Sequence, residues 1–174
     1  VPYRVVLKDG KRSMGKDPGI TITVNQCRPE SVGSVHIRSS ASTEAPAIKF
    51  NFLSAEIDRR TLIDGLRFGR RLAATQALEE VFAEEMQPGV EAQSDEALLG
   101  FIRDKAETVY HPSGTCKMGN DPMAVVDARL KVHGLDGLRI ADASIMPTLT
   151  SGNTNAPCIM IGEKCADMVL ADNR

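Results

Sequence analysis

The sequence lacks the features that mark several large classes of protein. No run of apolar residues approaches the ~20 that a membrane-spanning helix needs. No basic block interleaved with aromatic residues is present, and only 4% of the chain is aromatic, which argues against a nucleic-acid partner. The first residues also lack the long apolar core of a secretory signal. These absences leave an ordinary soluble globular chain as the predicted class.

The few cysteines and histidines form no pattern typical of a metal site or a disulfide framework. None of the four cysteines belongs to a CxxC pair, and the three histidines are scattered. His111 and Cys116 lie five residues apart, but no second close pair completes a zinc site. We therefore predict no bound metal. We also predict reduced, structural thiols and a cytoplasmic location, with membrane association left open.

Nucleotide-binding and hydrolase motifs are missing as well. The chain contains no G-x-G-x-x-G fingerprint, no Walker A loop and no G-x-S-x-G elbow. Any nucleotide bound here would therefore need a phosphate cradle from elsewhere. Because the chain begins with Val1 rather than Met, we expect it to be part of a longer protein.

The residues that are present have a globular composition. Lys and Arg number 21 against 23 Asp and Glu, and the length of 174 residues is typical of one domain. Three segments near the start alternate apolar and polar residues, which predicts antiparallel strands over residues 19–24, 34–38 and 47–52. A further short strand is predicted over residues 138–141.

After these segments the apolar period becomes helical. We predict a helix capped by Ser54, a short acidic helix over residues 77–86, a helix capped by Ser94, and a well-buried last helix over residues 156–171. The arginines of the first helix are predicted to form a solvated face; they are Arg59, Arg60, Arg67, Arg70 and Arg71. The fold class predicted from these elements is α+β, with an antiparallel sheet and flanking helices.

Three polar segments of the irregular second half are candidates for chemistry. His111 is the only histidine in such a loop, and it can either accept a proton or simply hydrogen-bond a turn. Residues 151–155 (SGNTN) precede the last helix, whose free N–H groups favour an anion or a carbonyl, although a simple cap needs only one of them. Asp142 and Ala143 follow the strand at 138–141, where ligands often bind, and Asp142 could equally close a turn.

Three ordered motifs resemble the signature regions of the glucose–methanol–choline (GMC) oxidoreductases, and they are especially similar to the choline dehydrogenase branch. The motifs are YHPSGTCKMG at 110–119, VVDARLKVHGLDGLRIADASIMP at 125–147 and TSGNTNAPCIMIGEKCADMVL at 150–170. The resemblance implies that residues 1–174 are the C-terminal part of a FAD-dependent enzyme. They would comprise part of the substrate-domain sheet and a segment that packs on the flavin, while the dinucleotide-binding fold lies outside them.

The resemblance also implies roles for individual residues. His111 matches the family's catalytic histidine, and Asn153 matches the second active-site position, which is His or Asn across the family. Val109 and Tyr110 would flank the substrate pocket. The residues that match cofactor-binding positions of the family are Asp142, Ala143, Asn153, Thr154 and Asn155.

The reaction implied by the resemblance is oxidation of an alcohol, such as choline or a related primary alcohol, to an aldehyde. A hydride would pass to flavin N5 with His111 as the base, and oxygen or a quinone would be the electron acceptor. These 174 residues alone are expected to bind little FAD and to be inactive. Two alternatives stay open: a non-oxidative lyase of the same fold acting on cyanohydrin-like substrates, and a structural or binding module that covers a partner's cofactor.

Overall fold

The computed structural model describes residues 5–8, 11–16 and 18–173, which divide into two compact units. Unit 1 comprises Val1–Gln26 and Leu53–Glu107, and unit 2 comprises Cys27–Phe52 and Thr108–Arg174. Antiparallel strand pairs and three α-helices make up the regular structure, so the predicted α+β class is confirmed. The elements are β1 (Val5–Lys8), β2 (Lys11–Met14), β3 (Ser34–His36), β4 (Ala47–Lys49), α1 (Glu56–Ala73), α2 (Asp95–Lys105) and α3 (Asn155–Asp172).

Unit 1 is built on two helices and one strand pair. β1 and β2 pair in antiparallel fashion. α1 and α2 bury a small core of Ile63, Leu98 and Ile102. The predicted cap of α2 is confirmed, because Ser94 Oγ accepts a hydrogen bond from the Ala97 N–H at 3.2 Å. This bond fixes where α2 begins.

The strand predicted at residues 19–24 is wrong. These residues lie in no strand; the segment passes along α1, where Val24 meets Gly65. A β-carbon at Gly65 would stand 2.2 Å from Val24 Cγ1, and Ile22 meets Gly69 in the same way at 3.4 Å. The alternating apolar residues therefore pack on a helix rather than on a sheet, and glycine is what allows the close approach. The strand predicted at 138–141 is reduced to a single bridge between Lys131 and Arg139.

Two predicted helix features are also wrong. The cap position of α1 is occupied by Ala55 rather than by the predicted Ser54, and no side-chain capping bond is made at that position. The acidic helix predicted at 77–86 is only a single 3₁₀ turn over Gln76–Leu78. Within the predicted range, the Glu85 carboxylate accepts hydrogen bonds from Arg70 of α1.

Arg70 contradicts the prediction of a solvated arginine face. Its Nε and Nη2 atoms donate to the Glu85 carboxylate at 2.9–3.1 Å, and further donors reach the carbonyls of Ala92 and Gly89 at 2.8 and 2.9 Å. The Arg70 and Glu85 side chains are only 20% and 18% exposed. Arg70 thus fastens the loop after α1 to the helix. Arg67 is closer to the prediction, with an exposed ion pair to Asp95.

Unit 2 holds the second strand pair and the larger core. β3 and β4 pair in antiparallel fashion, with Val35 opposite Ile48. The core consists of Val126, Leu130, Ile145, Met146 and Ile161, and Cys158 and Cys165 of α3 pack against it.

The predicted span of α3 is confirmed within one residue at each end, but the prediction that the helix is well buried is wrong. Ile161 is its one buried residue among those described, and Ile159 and Met160 are 60% and 54% exposed. The helix therefore covers the core with a single stripe. No helix in the described part of the chain combines the length and the apolar character needed to cross a membrane.

The C-terminal end of α3 is held by charge. The Asp172 carboxylate accepts from Arg129, from Lys131 at 2.7 Å and from Arg139 at 2.5 Å. Hydrogen bonds from Lys131 and then Arg139 hold the pKa of Asp172 far below its usual range. This ion cluster joins the helix end to the turns that follow Val126.

Candidate active site

The structure brings two of the sequence-predicted motifs into direct contact. Nδ1 of His111 lies 2.9 Å from Oγ1 of Thr154, which is a hydrogen bond between residues 43 positions apart. His111 is half-buried, and Thr154 is buried with 8% of its surface exposed. The candidate histidine is therefore held at the N-terminal end of α3, beside the SGNTN segment.

The backbone before His111 adopts an uncommon conformation. Tyr110 has φ +62°, in the left-handed region that non-glycine residues rarely occupy. The Tyr110 N–H donates to Thr108 Oγ1 at 3.0 Å, which supports this turn. Left-handed residues with side chains often mark sites where a neighbouring group must be aimed. Val109 and Tyr110 themselves are 49% and 69% exposed.

The loop after His111 is fastened to the 3₁₀ turn Ala143–Ile145 by a ladder of backbone bonds. The N–H groups of Gly114, Cys116 and Met118 donate to the carbonyls of Ala143, Ser144 and Ile145 at 3.2, 2.9 and 2.7 Å. This ladder joins the first motif to the second, as the His111–Thr154 bond joins the first to the third. All three motifs therefore meet within unit 2.

Asp142 begins the 3₁₀ turn as its cap. One carboxylate oxygen, Oδ1, accepts from the Ser144 N–H at 2.7 Å. Hydrogen bonds from the Ser144 side chain and then its backbone N–H lower the pKa of Asp142 below its ordinary value, so the carboxylate is favoured. The residue is otherwise exposed. The structure therefore bears out the turn-closing alternative for Asp142, because its Oδ1 caps the 3₁₀ turn that follows it.

The N-terminal end of α3 is polar and has no side-chain cap. Thr154 occupies the cap position, and no side-chain hydrogen bond satisfies the first turn. Asn153 and Asn155, which flank it, are both exposed. The Thr150 hydroxyl is buried without a hydrogen-bond partner among the described residues. An uncapped helix start and a buried hydroxyl without a partner are two features that a polar ligand with electron-rich groups could satisfy.

Some features of the site could not be expected from the sequence. The pairing of His111 with Thr154 was not predicted, because the motif resemblance assigned Thr154 only to the cofactor. The bond from Arg28 Nε to Ser151 Oγ at 2.6 Å was not predicted either. It ties the SGNTN segment to Arg28 of the same unit. Nothing in the sequence around Arg28 indicates which distant residue its side chain would contact. Within the parts of the chain that the structure describes, no group of three His, Cys, Asp or Glu residues could hold a metal ion.

The comparisons with known proteins agree on one family. The family model described as GMC oxidoreductase matches residues 29–162. The chain is 49% identical, over 154 residues, to the oxygen-dependent choline dehydrogenase of Escherichia coli strain SMS-3-5, and 48% identical to that of Pseudomonas savastanoi pv. phaseolicola. Each match covers 88% of this chain but 27% of the relative. The chain therefore spans about a quarter of the length of these curated relatives.

Solved structures with a similar fold include oxidases. The chain superimposes on pyridoxine 4-oxidase from Mesorbium loti with a TM-score of 0.77 and 36% identity, covering 81% of this chain and 28% of that one. A fungal aryl-alcohol oxidase is similar with a TM-score of 0.75 and 32% identity, covering 84% of this chain and 24% of the oxidase.

Proposed function

This chain belongs to the GMC oxidoreductase family. From that membership we propose that it contributes the catalytic residues to the active site of a FAD-dependent enzyme that oxidises an alcohol. The family expected from the three motifs is thereby confirmed. The alcohol, the cofactor and the residue roles are the proposal. Choline or a related primary alcohol is the proposed substrate, and oxygen or a quinone is the proposed acceptor.

The observation that carries the proposal is the extent of the match to the choline dehydrogenases. About half of the aligned residues are identical over 88% of this chain, and the alignment is long enough to take in most of unit 2. The structural relatives also include oxidases of other alcohols, such as the aryl-alcohol oxidase. Because these relatives are named for the oxidation of different alcohols, they support alcohol oxidation as the class of reaction. Choline is the first substrate to test.

The residues of the site are suited to hold FAD. We propose that Asp142, Ala143, Asn153, Thr154 and Asn155 contact it. When bound, FAD supplies the acceptor for the substrate hydride. Two features of this chain support the fit: the uncapped start of α3 and the buried Thr150 hydroxyl that has no partner among the described residues. A buried hydroxyl left unpaired costs about 1–3 kcal/mol, so a ligand that bonds it would recover that energy.

His111 is the proposed base. Its Nδ1 is engaged by Thr154, and Nε2 is the nitrogen that remains to accept a proton from the substrate hydroxyl. As an imidazolium, the ring would then stabilise the negative charge that develops on the substrate oxygen. Asn153 can donate an amide hydrogen bond to the same oxygen without adding charge. In this proposal His111 transfers the proton, and Asn153 orients the substrate oxygen.

The start of α3 has an electrostatic role in the proposal. A helix N-terminus carries the equivalent of about half a positive charge, and here no side chain neutralises it by capping. The Thr154–Asn155 step would therefore favour negative charge on a group bound against it. The effect is about 0.3–1 kcal/mol at an exposed helix end and larger where water is excluded.

The proposal is tested by mixing the intact protein, loaded with FAD, with choline in the absence of oxygen. Bleaching of the flavin absorbance with formation of the aldehyde would support oxidation. A panel of other primary and aromatic alcohols identifies the substrate class if choline is inactive. Cleavage of a cyanohydrin with the flavin left oxidised would instead establish the lyase alternative, and failure to bind FAD at all would favour the binding module.

A further inference from the structure

The Thr154 hydroxyl is not used by the helix that it begins. Residues at this position normally accept a hydrogen bond from the first turn through their side-chain oxygen. Thr154 makes no such bond, although its backbone carbonyl accepts the first helical bond from the Cys158 N–H at 3.0 Å. Its backbone is therefore anchored by α3 while its hydroxyl points to another partner.

That partner is His111. Thr154 is only 8% exposed, so its hydroxyl has little access to water, and His111 Nδ1 lies within hydrogen-bond distance at 2.9 Å. A buried hydroxyl is rarely left unpaired. The bond joins a side chain fixed at the end of a helix to an imidazole that follows the left-handed Tyr110. Both ends of the bond thus have a constrained backbone.

The chemistry of imidazole determines which group must donate this hydrogen bond if His111 is to act as a base. A neutral ring carries one N–H and one lone pair, and a hydrogen bond to one nitrogen determines the role of the other. Within the described residues, Nε2 has no hydrogen-bond partner. For Nε2 to accept a proton, the ring hydrogen must reside on Nδ1 and be donated to the Thr154 oxygen.

We propose that Thr154 is a positioning residue for His111: its Oγ1 accepts the Nδ1–H, fixes the plane of the ring and keeps Nε2 free as the proton acceptor. The catalytic consequence rests on the proposed function, whereas the ring state is a property of this chain alone. The proposal adds a role for Thr154 that differs from contact with the cofactor.

The first test reads the ring directly. The intact protein without flavin is labelled with ¹⁵N-histidine, and the His111 signals are assigned by their loss in His111→Gln. We expect a protonated, pyrrole-type Nδ1 and an unprotonated, pyridine-type Nε2 in the neutral ring. In Thr154→Val, which replaces the hydroxyl by a methyl group of similar size, we expect a mixture of the two ring forms. In Thr154→Ser we expect the parent signals.

The second test follows the chemical step in the flavin-loaded protein. Thr154→Val is expected to lower the limiting rate of flavin reduction by about 10- to 100-fold, by analogy with the range found when a group that orients a metal-binding histidine is removed. The dissociation constant of the alcohol should stay unchanged, and Thr154→Ser should recover most of the rate. Thr75→Val is the matched control, because it also removes a hydroxyl that makes a hydrogen bond, to the Leu72 carbonyl in unit 1.

The outcomes separate the two proposals. Parent-like ring signals in Thr154→Val, or a parent spectrum with Nε2 protonated, would overturn the role of Thr154. An equal loss of rate in Thr154→Ser and Thr154→Val would also overturn it, because the hydroxyl would not be what matters. If no alcohol reduces the flavin but the ring signals respond as expected, the positioning of His111 stands and the proposed reaction fails.

Discussion

Gly114 lies against the main-chain oxygen of Met146, so closely that a β-carbon on Gly114 would stand 3.2 Å from that oxygen. Gly114 also has φ +79°, a conformation that residues with side chains rarely adopt. Both facts follow from the way the loop after His111 runs along the segment that begins at Asp142. A glycine at position 114 therefore allows the loop of the first motif to pack closely against the segment of the second motif.

Replacing this glycine should loosen the site. Gly114→Ala is expected to lower the free energy of unfolding by about 1–2 kcal/mol from the left-handed backbone alone, with a further loss from the contact with Met146. Gly134→Ala is the matched control, because Gly134 has nearly the same φ, +77°, but nothing within 4 Å of a new β-carbon. Denaturant unfolding of both variants measures the difference. Equal losses would mean that the contact with Met146 contributes nothing.

Arg70 should be far more sensitive to substitution than its neighbour Arg67. Arg70→Lys keeps the charge but loses the paired bonds to Glu85 and the bonds to two carbonyls, in a half-buried setting. We expect a loss of about 1–3 kcal/mol. Arg67→Lys affects an exposed pair with Asp95, and it should change stability by less than about 1 kcal/mol. Similar losses in the two variants, measured by chemical denaturation, would contradict this account.

The capping carboxylate of Asp142 should make stability depend on pH. Because folding lowers the pKa of Asp142 below its ordinary value of 3.8, the stability from ionised Asp142 is present above pH 3.8 and disappears as pH falls through the folded-state pKa. Asp142→Ala, which removes the capping oxygen, should therefore cost about 1 kcal/mol at neutral pH and progressively less in acid. Ser144→Ala, which removes the main hydrogen bond responsible, should reduce the pH dependence in the same sense. A cost that is independent of pH would disprove the assignment.

The ion cluster at the end of α3 should respond to salt. Asp172→Asn removes the single carboxylate shared by Arg129, Lys131 and Arg139, so the thermal midpoint should fall. The difference from the parent should shrink at about 1 M salt, where the screening length is about 3 Å. Asp167→Asn is the control, because Asp167 makes one exposed pair, at 3.6 Å, with Lys164. A salt-independent difference for Asp172→Asn would argue that the cluster acts through packing instead.

The sequence predicts elements well where a local signal is sufficient. The Ser94 cap and the span of α3 are confirmed, because a cap residue, acidic first-turn residues and a Pro in the first turn all act within a few positions. Residues 19–24 show the limit of this reasoning. Their alternation is real, but the surface that they pack on is set by Gly65 and Gly69, about forty positions later. Arg70 fails for the same reason, since Glu85 is fifteen residues away.

For the candidate site, the motifs gave the residues but not their connections. The resemblance selected His111 and the SGNTN segment, and both are found at one end of α3. It could not show that Thr154 bonds the imidazole or that Gly114 packs on Met146. Such contacts join positions that are more than thirty residues apart, and they depend on the backbone path between them. The sequence therefore identified the residue types of the site but not the contacts between residues that are distant along the chain.

The most direct test of the account is the rate of flavin reduction by the alcohol in the absence of oxygen, compared between the intact flavoprotein and its His111→Ala variant. If His111 is the base, the variant should retain its FAD and reduce it about 10²–10⁴-fold more slowly. Exogenous imidazole should restore part of the rate. A variant that binds FAD and is reduced at the rate of the parent would contradict the assignment of His111 and, with it, the proposed active site.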